Sequence, residues 1–314
     1  MHYYRFNLQA NFAYRGVMAP VFTPFKNDTN RTVNVDAIPA YADYCKKSGI
    51  TGILANGTTG EGMAMDKKER LLVAEIWAQL CKQNKQHFMV QVGGASLPDV
   101  IDMTRHAEKI GADSILCLPD LFYKPATPAD LIRYLQTVAK AAPSTPLLYY
   151  HIPRITTVNV HMGTFLNVLG DNVPSFAGIK FSSTILDEAL SAVKASNEKY
   201  IVFLGSHAIM AGAYVLGIKS SIITTQNILP QLGHTIFENV SGRDISKAQI
   251  AQNNLNAVIS KIINYGPWVP STKAAMSILS AVDMGPPRDP FQPLTKVQMK
   301  QMEEELKKFS FISI

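Results

Sequence analysis

Eight short apolar segments recur along the chain with helix-like segments between them, and this alternation is the strongest constraint on the fold. Most are near-continuous hydrophobic runs, as expected for parallel strands buried on both faces. They are GVMAPVF (16–22), TGILA (51–55), HFMVQV (87–92), SILCLP (114–119), LLYYH (147–151), AGIKF (177–181), YIVFLG (200–205) and SSIITT (220–225). The pattern predicts an α/β fold, a (β/α)₈ TIM barrel. A doubly wound open sheet is the alternative, because pattern alone does not show closure.

The segments between the predicted strands have helix-start signals, and the last quarter of the chain is helical in pattern. The predicted caps are Asp66 with Glu69, Ser96 with Asp99, and Thr127 before Pro128. After residue 226 the strand signals stop, and helical segments follow, interrupted by the proline-bearing stretch 284–294. We therefore expect a single domain, 1–314, with the barrel at about 16–235 and a C-terminal helical region at about 236–314.

Composition excludes several classes of protein. A hydrophobic fraction of 47% is enough for a full core, and a net charge of +6 from scattered basic residues does not indicate a nucleic-acid partner. Cys45, Cys81 and Cys117 are too far apart for a metal cluster or disulfide framework, which suits a reducing compartment. No apolar run approaches the roughly 18 residues of a membrane span, and no signal peptide is evident. We expect a soluble cytoplasmic protein.

Barrels of this kind place their active sites at the carboxyl ends of the strands, which shortens the list of candidate residues. The polar residues there are Thr23, the GTTGE segment 57–61, Tyr149, Tyr150, His151, Lys180, Ser182, Ser183, Gly205, Ser206, His207, Thr224 and Thr225. The glycine-rich stretch has partial Walker A spacing, but Met63 and Ala64 occupy the positions of its Lys and Ser/Thr. A nucleotide site is therefore not predicted.

Lys180 lies inside the apolar segment AGIKF. Burial there disfavours the charged ammonium, leaving an amine that can attack a carbonyl carbon. The alternative is a structural lysine that is paired or extends to solvent.

Two tyrosines and two histidines are further candidates. Tyr149 and Tyr150 alternate in direction, so one of them points to the barrel centre and the other packs outward. Two tyrosines that serve only the core are the alternative. His151 and His207 lack any metal-binding spacing, so we expect no metal and no cofactor. We expect the two histidines to be polar residues that line the site and not metal ligands.

Three motifs together resemble one family. GTTGE (57–61), YHIP (150–153) and GIKF (178–181) are similar to those of the N-acetylneuraminate lyase/dihydrodipicolinate synthase superfamily. The likeness runs from about residue 16 to about residue 311 and is greatest to the animal-type sialic acid lyase branch. It implies a (β/α)₈ barrel, usually tetrameric, that forms a Schiff base between a lysine and pyruvate.

Carried over residue by residue, the resemblance assigns roles to five side chains. Lys180 is then the Schiff-base lysine and Tyr150 the hydroxyl that relays protons. Thr58 and Thr59 bind the pyruvate carboxylate, with the neighbouring glycines letting backbone N–H groups approach it. Ser182 lies beside the aldehyde chain, where the family commonly has threonine.

The chain departs from the family where the sugar binds. Two acidic residues typical of sialic acid lyases are replaced in the segment Gly205, Ser206, His207 and Ala208. Ile223 and Thr157 replace glycines, and Thr224 follows Ile223 on the same wall. A tyrosine that many relatives donate to a neighbouring subunit falls near Phe122 and Tyr123. The synthase branch is disfavoured because Ile155 stands at its arginine position, with Arg154 one residue early.

The leading hypothesis is therefore a sialic acid lyase-like class I aldolase that converts a 2-oxo acid to pyruvate and an aldehyde. Its partners are pyruvate and that aldehyde, and a homo-oligomer is expected. The first alternative is the same Schiff-base chemistry on a less hydroxylated aldehyde or another 2-oxo acid. The second is a non-catalytic descendant of the family.

Overall fold

The computed structural model describes residues 12–280 and 282–312, and it contains a closed parallel barrel. The strands are β1 Gly16–Pro20, β2 Gly52–Ala55, β3 His87–Gln91, β4 Ser114–Cys117, β5 Leu147–His151, β6 Phe176–Phe181, β7 Ile201–Leu204 and β8 Ser220–Ile222. Each strand pairs in parallel with the next, and β8 closes the barrel on β1 with Gly16 opposite Ser220. The predicted TIM barrel is confirmed and the open sheet is wrong.

Helices separate the strands and continue after the last one. They are α1 Ile38–Lys47, α2 Lys67–Asn84, α3 Leu97–Lys109, α4 Pro128–Ala139, α5 Pro153–Thr156, α6 Met162–Leu169, α7 Leu186–Lys194, α8 Met210–Val215, α9 Thr225–Ile228, α10 Pro230–Ser241, α11 Ile245–Ile263, α12 Trp268–Ser280 and α13 Lys296–Leu306. Helix α10 crosses the predicted boundary at 235/236, which stays a prediction. In the described ranges, no helix has both the length and the apolar character needed to cross a membrane.

Two of the three predicted helix caps have the expected geometry. Asp66 forms a capping box with Glu69, and Thr127 caps α4. The third prediction, a capping box at Ser96, is wrong. The Ser96 hydroxyl donates to the Asp99 carboxylate at 2.8 Å and does not accept a backbone N–H of α3. Direct pairing of the two side chains satisfies both polar groups and replaces the cap.

The barrel interior is filled by side chains, and its amino-terminal end is closed by aromatic residues. Large apolar side chains such as Met18, Leu54 and Phe203 are fully buried inside. At the amino-terminal end, the Tyr14 ring stacks on His87 at a centroid distance of 4.6 Å and lies 6.2 Å from Phe203. The space for a ligand is therefore at the opposite end, where the strands finish.

Candidate active site

A cavity of about 730 Å³ lies at the carboxyl ends of the strands. It contains all the residues to which the sequence assigns catalysis or substrate binding. These nine are Thr58, Thr59, Tyr150, Lys180, Ser182, Gly205, Ser206, His207 and Thr224. The barrel thus brings together residues from five of its strand ends. Their individual roles stay predictions.

Lys180 and Tyr150 lie side by side at the bottom of the cavity. They are register partners on β6 and β5, and the Lys180 Nζ lies 4.1 Å from the centre of the Tyr150 ring. Both side chains are buried. Tyr149 points the other way and packs against Phe165 in the layer between sheet and helices, at a centroid distance of 5.9 Å. Strand alternation therefore decides which tyrosine faces the amine.

The surroundings of Tyr150 favour its ionised form. Burial alone raises the pKa of this hydroxyl, but the positive charge of Lys180 and contacts with the Thr58 and Ser182 side chains outweigh burial. The net result is a pKa below the usual tyrosine value. Thr58 Oγ1 lies 3.2 Å from the Tyr150 hydroxyl, within hydrogen-bonding distance. A tyrosine whose pKa is lowered toward neutral pH donates a proton more readily than free tyrosine, and more of it is present as the phenolate that accepts one.

The segment after β2 brings two hydroxyls and two backbone donors to the same place. Thr59 Oγ1 lies 2.7 Å from Thr224 Oγ1, across the cavity floor from the Thr58–Tyr150 contact. Among the described residues, no acceptor pairs with the backbone N–H of Thr58 or Thr59. Hydroxyls and unpaired N–H groups in one turn suit an anionic oxygen such as a carboxylate.

The GTTGE segment is held by contacts that the sequence did not reveal. Glu61 and Lys273 form an ion pair of 2.7 Å in which both side chains are buried. The second Glu61 oxygen accepts the Arg288 backbone N–H at 2.8 Å, and Thr23 Oγ1 donates to the Gly60 carbonyl at 2.7 Å. Lys273 and Arg288 come from the stretches STKAAM and MGPPRDP of the C-terminal region, far in sequence from any strand end, so the strand-end rule did not point to them.

Gly60 and Gly62 are required by close backbone packing, and the expected role of the glycines in letting N–H groups approach an anion stays a prediction. A Cβ on Gly62 would clash with the Asn56 carbonyl, and one on Gly60 would lie 2.8 Å from the Val21 carbonyl. These glycines let backbone pack on backbone, which fixes the turn. The turn that they fix contains Thr58 and Thr59.

The outer part of the cavity contains Ser182 and the loop after β7. Gly205 packs so closely on Ser182 that a Cβ there would clash with the Ser182 hydroxyl. The Ser182 Oγ is buried and has no hydrogen-bond partner of normal geometry in the described chain, although it is near enough to Tyr150 to lower the pKa of that hydroxyl. Ser206 and His207 follow at the rim.

His207 packs face to face with Trp268, a cavity residue that sequence reasoning missed. Their ring centroids are 5.1 Å apart and the planes differ by 18°. Burial lowers the pKa of His207 to about 4, so the imidazole is neutral near pH 7. Trp268 begins α12, far from any strand end in sequence, so the rule that locates barrel sites could not find it.

Other candidates from the sequence fall into two groups. Ile223, Arg154 and Ile155 line the cavity, whereas His151 lies behind the site, buried and stacked on Phe181 at 5.3 Å. Burial lowers the pKa of His151 to about 4.

Thr157 adopts the left-handed backbone conformation, with a φ of 58°, in place of the family's glycine. Phe122 and Tyr123 are more than four-fifths exposed. Within residues 12–280 and 282–312, no group of three or more His, Cys, Asp or Glu side chains is arranged to hold a metal ion.

Fold and site together define a (β/α)₈ barrel with a buried lysine amine and a tyrosine hydroxyl at the carboxyl ends of neighbouring strands. The chain belongs to the dihydrodipicolinate synthetase family, whose model matches residues 13–309. Rattus norvegicus N-acetylneuraminate lyase is 34% identical over 301 residues, which cover 95% of this chain and 93% of that protein.

Two solved N-acetylneuraminate lyases have closely similar structures. The enzyme from Aliivibrio salmonicida is 31% identical with a TM-score of 0.89, covering 96% of this chain and 98% of its own. The enzyme from Proteus mirabilis is 28% identical with a TM-score of 0.89, covering 95% of this chain and 99% of its own.

Proposed function

We propose that the protein is a class I aldolase of the N-acetylneuraminate lyase type, which reversibly cleaves a 2-oxo acid to pyruvate and an aldehyde. The observation that carries this proposal is the buried Lys180 amine 4.1 Å from the centre of the Tyr150 ring. The family to which the chain belongs consists of Schiff-base aldolases that use pyruvate. The reference substrate is N-acetylneuraminate, named in the relatives, with N-acetylmannosamine as the aldehyde.

The polar residues of the cavity have separate roles in the reaction: some hold the substrate, and one transfers protons. Thr58 and Thr59 hold the substrate carboxylate through hydroxyl and N–H groups, which fixes the neighbouring carbonyl carbon next to the amine. Lys180 attacks that carbonyl, and loss of water gives an iminium. The iminium accepts the electron pair of the carbon–carbon bond when that bond breaks, so an enamine and an aldehyde result.

Tyr150 moves the proton that this cleavage requires. Its hydroxyl takes the proton from the substrate hydroxyl that becomes the aldehyde oxygen, and returns a proton to the enamine carbon. Its lowered pKa and its contact with Thr58 support this role. Water then releases pyruvate and restores the free amine.

The test is reductive trapping. Purified protein is incubated with pyruvate and borohydride, and the mass of the intact chain and of its peptides is measured. We expect a mass gain of one reduced pyruvate on the peptide that contains Lys180, and none in a Lys180→Met variant. Absence of the gain in wild type, when a verified N-acetylneuraminate lyase treated in parallel gains it, contradicts the proposal.

Assembly and location belong to the same proposal. A homotetramer is typical of the family, and the exposed Phe122–Tyr123 pair offers an apolar contact surface. The free cysteines Cys45, Cys81 and Cys117 are all buried, which is compatible with a reducing cytoplasm. Sedimentation of the purified chain tests the assembly.

A further inference from the structure

Apart from the residues predicted for catalysis or binding, most side chains that line the cavity are apolar or aromatic. They include Ile155, Ile185, Ile223, Trp268, Val269 and Phe291, which we refer to as the outer half of the cavity. Ile155 and Ile185 are more than half exposed, so water covers two large apolar side chains at the rim. Such exposed apolar surface indicates a ligand that covers it with apolar groups of its own.

The same wall has few strong acceptors for sugar hydroxyls. Lys180 and Arg154 are the charged residues of the lining, and in the described chain no Asp or Glu contributes to it. A polyol bound here would find the neutral side chains of Ser206, Ser183 and Asn159 in place of carboxylates. Each hydroxyl left unpaired lowers kcat/KM by roughly 10-fold.

The His207–Trp268 pair gives this wall a flat face. The rings are nearly parallel at 5.1 Å, and the imidazole carries no charge near pH 7. A planar ring can stack on such a face with its apolar surface buried. A polyol chain gains less from such a face, because it has a hydroxyl on nearly every carbon and therefore little apolar surface to bury.

The C-terminal helices fix this flat face in place. Gln252 on α11 donates to the His207 carbonyl at 2.8 Å and accepts the Ala211 backbone N–H at 3.0 Å. Asn256, one turn later, donates to the Ala208 carbonyl at 3.2 Å. The loop is thus held from His207 to Ala211, which keeps the imidazole against Trp268.

We infer that the aldehyde partner is aromatic, with its ring held between the His207–Trp268 pair and the isoleucines of the rim. This inference rests on the proposed function. The enamine carbon of Lys180-bound pyruvate forms a bond to the aldehyde carbon. The carbonyl electron pair moves to oxygen, which takes the Tyr150 proton. Water then cleaves the iminium, and a 4-aryl-4-hydroxy-2-oxobutanoate leaves.

The test compares two aldehydes after pyruvate trapping has been scored. kcat/KM at saturating pyruvate is measured for benzaldehyde and for N-acetylmannosamine by pyruvate consumption. Wild type should prefer benzaldehyde by roughly 10-fold or more. His207→Ala and Trp268→Leu should each lower kcat/KM for benzaldehyde by roughly 10-fold, and the preference for benzaldehyde over N-acetylmannosamine should fall with it. If Trp268→Leu does not fold, His207→Ala carries the comparison alone.

Gln252 is tested as a positioning residue, with Ile250→Ala on the same helix as the control because Ile250 is exposed and outside the cavity lining. Gln252→Ala should raise KM for benzaldehyde with little change in kcat, and Ile250→Ala should change neither. If wild-type protein forms the trapped pyruvate adduct but shows no preference for benzaldehyde, or prefers N-acetylmannosamine, the inference is overturned and the proposed function stands. Equal losses for both aldehydes in His207→Ala also overturn it. Failure of trapping overturns both proposals.

Discussion

The inner and outer halves of the cavity are built in different ways. The inner half is built from close contacts between polar side chains. Lys180 lies over the Tyr150 ring, and the hydroxyls of Thr59 and Thr224 are 2.7 Å apart. The outer half is apolar, and its defining contact is the ring stack of His207 on Trp268. Forming and breaking bonds requires polar atoms at fixed positions, whereas binding the rest of the substrate requires a wall whose shape is complementary to it. The family chemistry and the substrate preference can therefore change independently.

The contacts that tie each half to the C-terminal region also differ, being ionic for the inner half and neutral for the outer half. The threonine turn is tied to the C-terminal region by the buried Glu61–Lys273 ion pair. The His207 loop is tied to that region by neutral hydrogen bonds from Gln252 and Asn256. Breaking a buried charge pair costs more than breaking a neutral contact. The inner half should be the less tolerant of substitution.

The largest expected effect is at Tyr150. Tyr150→Phe removes the hydroxyl that we propose relays protons, and we expect kcat to fall by roughly 10²–10⁴-fold, the usual range for loss of a general acid or base. Pyruvate trapping at Lys180 should persist, because attack by the amine does not need the aldehyde step. Steady-state and trapping measurements on one preparation check both.

Tyr149→Phe is the matched control on the same strand. The Tyr149 hydroxyl is buried and has no hydrogen-bond partner in the described structure. Its removal should leave kcat near the wild-type value. A comparable loss in both variants would contradict a specific role for Tyr150.

The fold could be predicted almost completely from the sequence, because its determinants are local. Continuous apolar runs mark strands buried on both faces, and the predicted segment Leu147–His151 coincides with β5. Closure could not be derived from the pattern, since it depends on the pairing of Gly16 with Ser220 across the whole barrel. The Ser96 cap failed because the serine hydroxyl donates to Asp99 and leaves the backbone unbonded.

The site was predictable wherever its residues follow a strand. The rule that barrel sites lie at strand ends, together with the motifs, found Lys180, Tyr150 and the threonines. Trp268 and Lys273 were missed because they come from α12, and packing of the C-terminal helices on the barrel is not visible in local periodicity. For the outer wall, the sequence showed only that the two carboxylates typical of the family are absent. The stack of His207 on Trp268 joins residues that are distant in sequence, so it could be found only in the structure.

The second prediction concerns the support of the inner half. Lys273→Met leaves the Glu61 carboxylate buried without its ion-pair partner and should lower the free energy of unfolding by about 3–5 kcal/mol. The double variant Glu61→Gln/Lys273→Met should recover part of this loss, because no unpaired charge remains. Chemical denaturation followed by circular dichroism measures both.

The control is an ion pair on the surface. Lys261 lies 3.9 Å from Glu305, and both side chains are partly exposed. Lys261→Met should change the free energy of unfolding by at most about 1 kcal/mol. A similar loss at Lys273 and Lys261 would show that the buried pair does not support the inner half in the way described.

A smaller effect is expected at Thr59. Thr59→Val keeps the shape of the side chain but removes the hydroxyl that contacts Thr224. In the proposed function the same hydroxyl holds the substrate carboxylate. We expect KM for pyruvate to rise roughly 10-fold with kcat little changed, as for loss of one charge-assisted hydrogen bond. Thr59→Ser retains the hydroxyl and should stay near wild type. A rise in KM that is equal in both variants would point to packing and not to carboxylate binding.

The smallest effect is the contribution of His207 to the pH dependence of stability. Burial lowers the pKa of His87, His151 and His207 to about 4, against about 6.5 in an unfolded chain. Between these values the unfolded state binds more protons, so the free energy of unfolding falls as pH falls from 6.5 to 4. Each histidine adds up to about 1.4 kcal/mol per pH unit to that slope.

His207→Phe keeps a flat ring against Trp268 and removes the titrating group. The slope between pH 6.5 and 4 should therefore be shallower than in wild type, while Ile250→Ala should keep the wild-type slope. Denaturant titrations at closely spaced pH values measure it. An unchanged slope would mean that His207 is as open to protonation in the folded protein as in the unfolded chain. The outer wall would then carry a positive charge in mild acid, and its description as a neutral apolar face would hold only above pH 6.5.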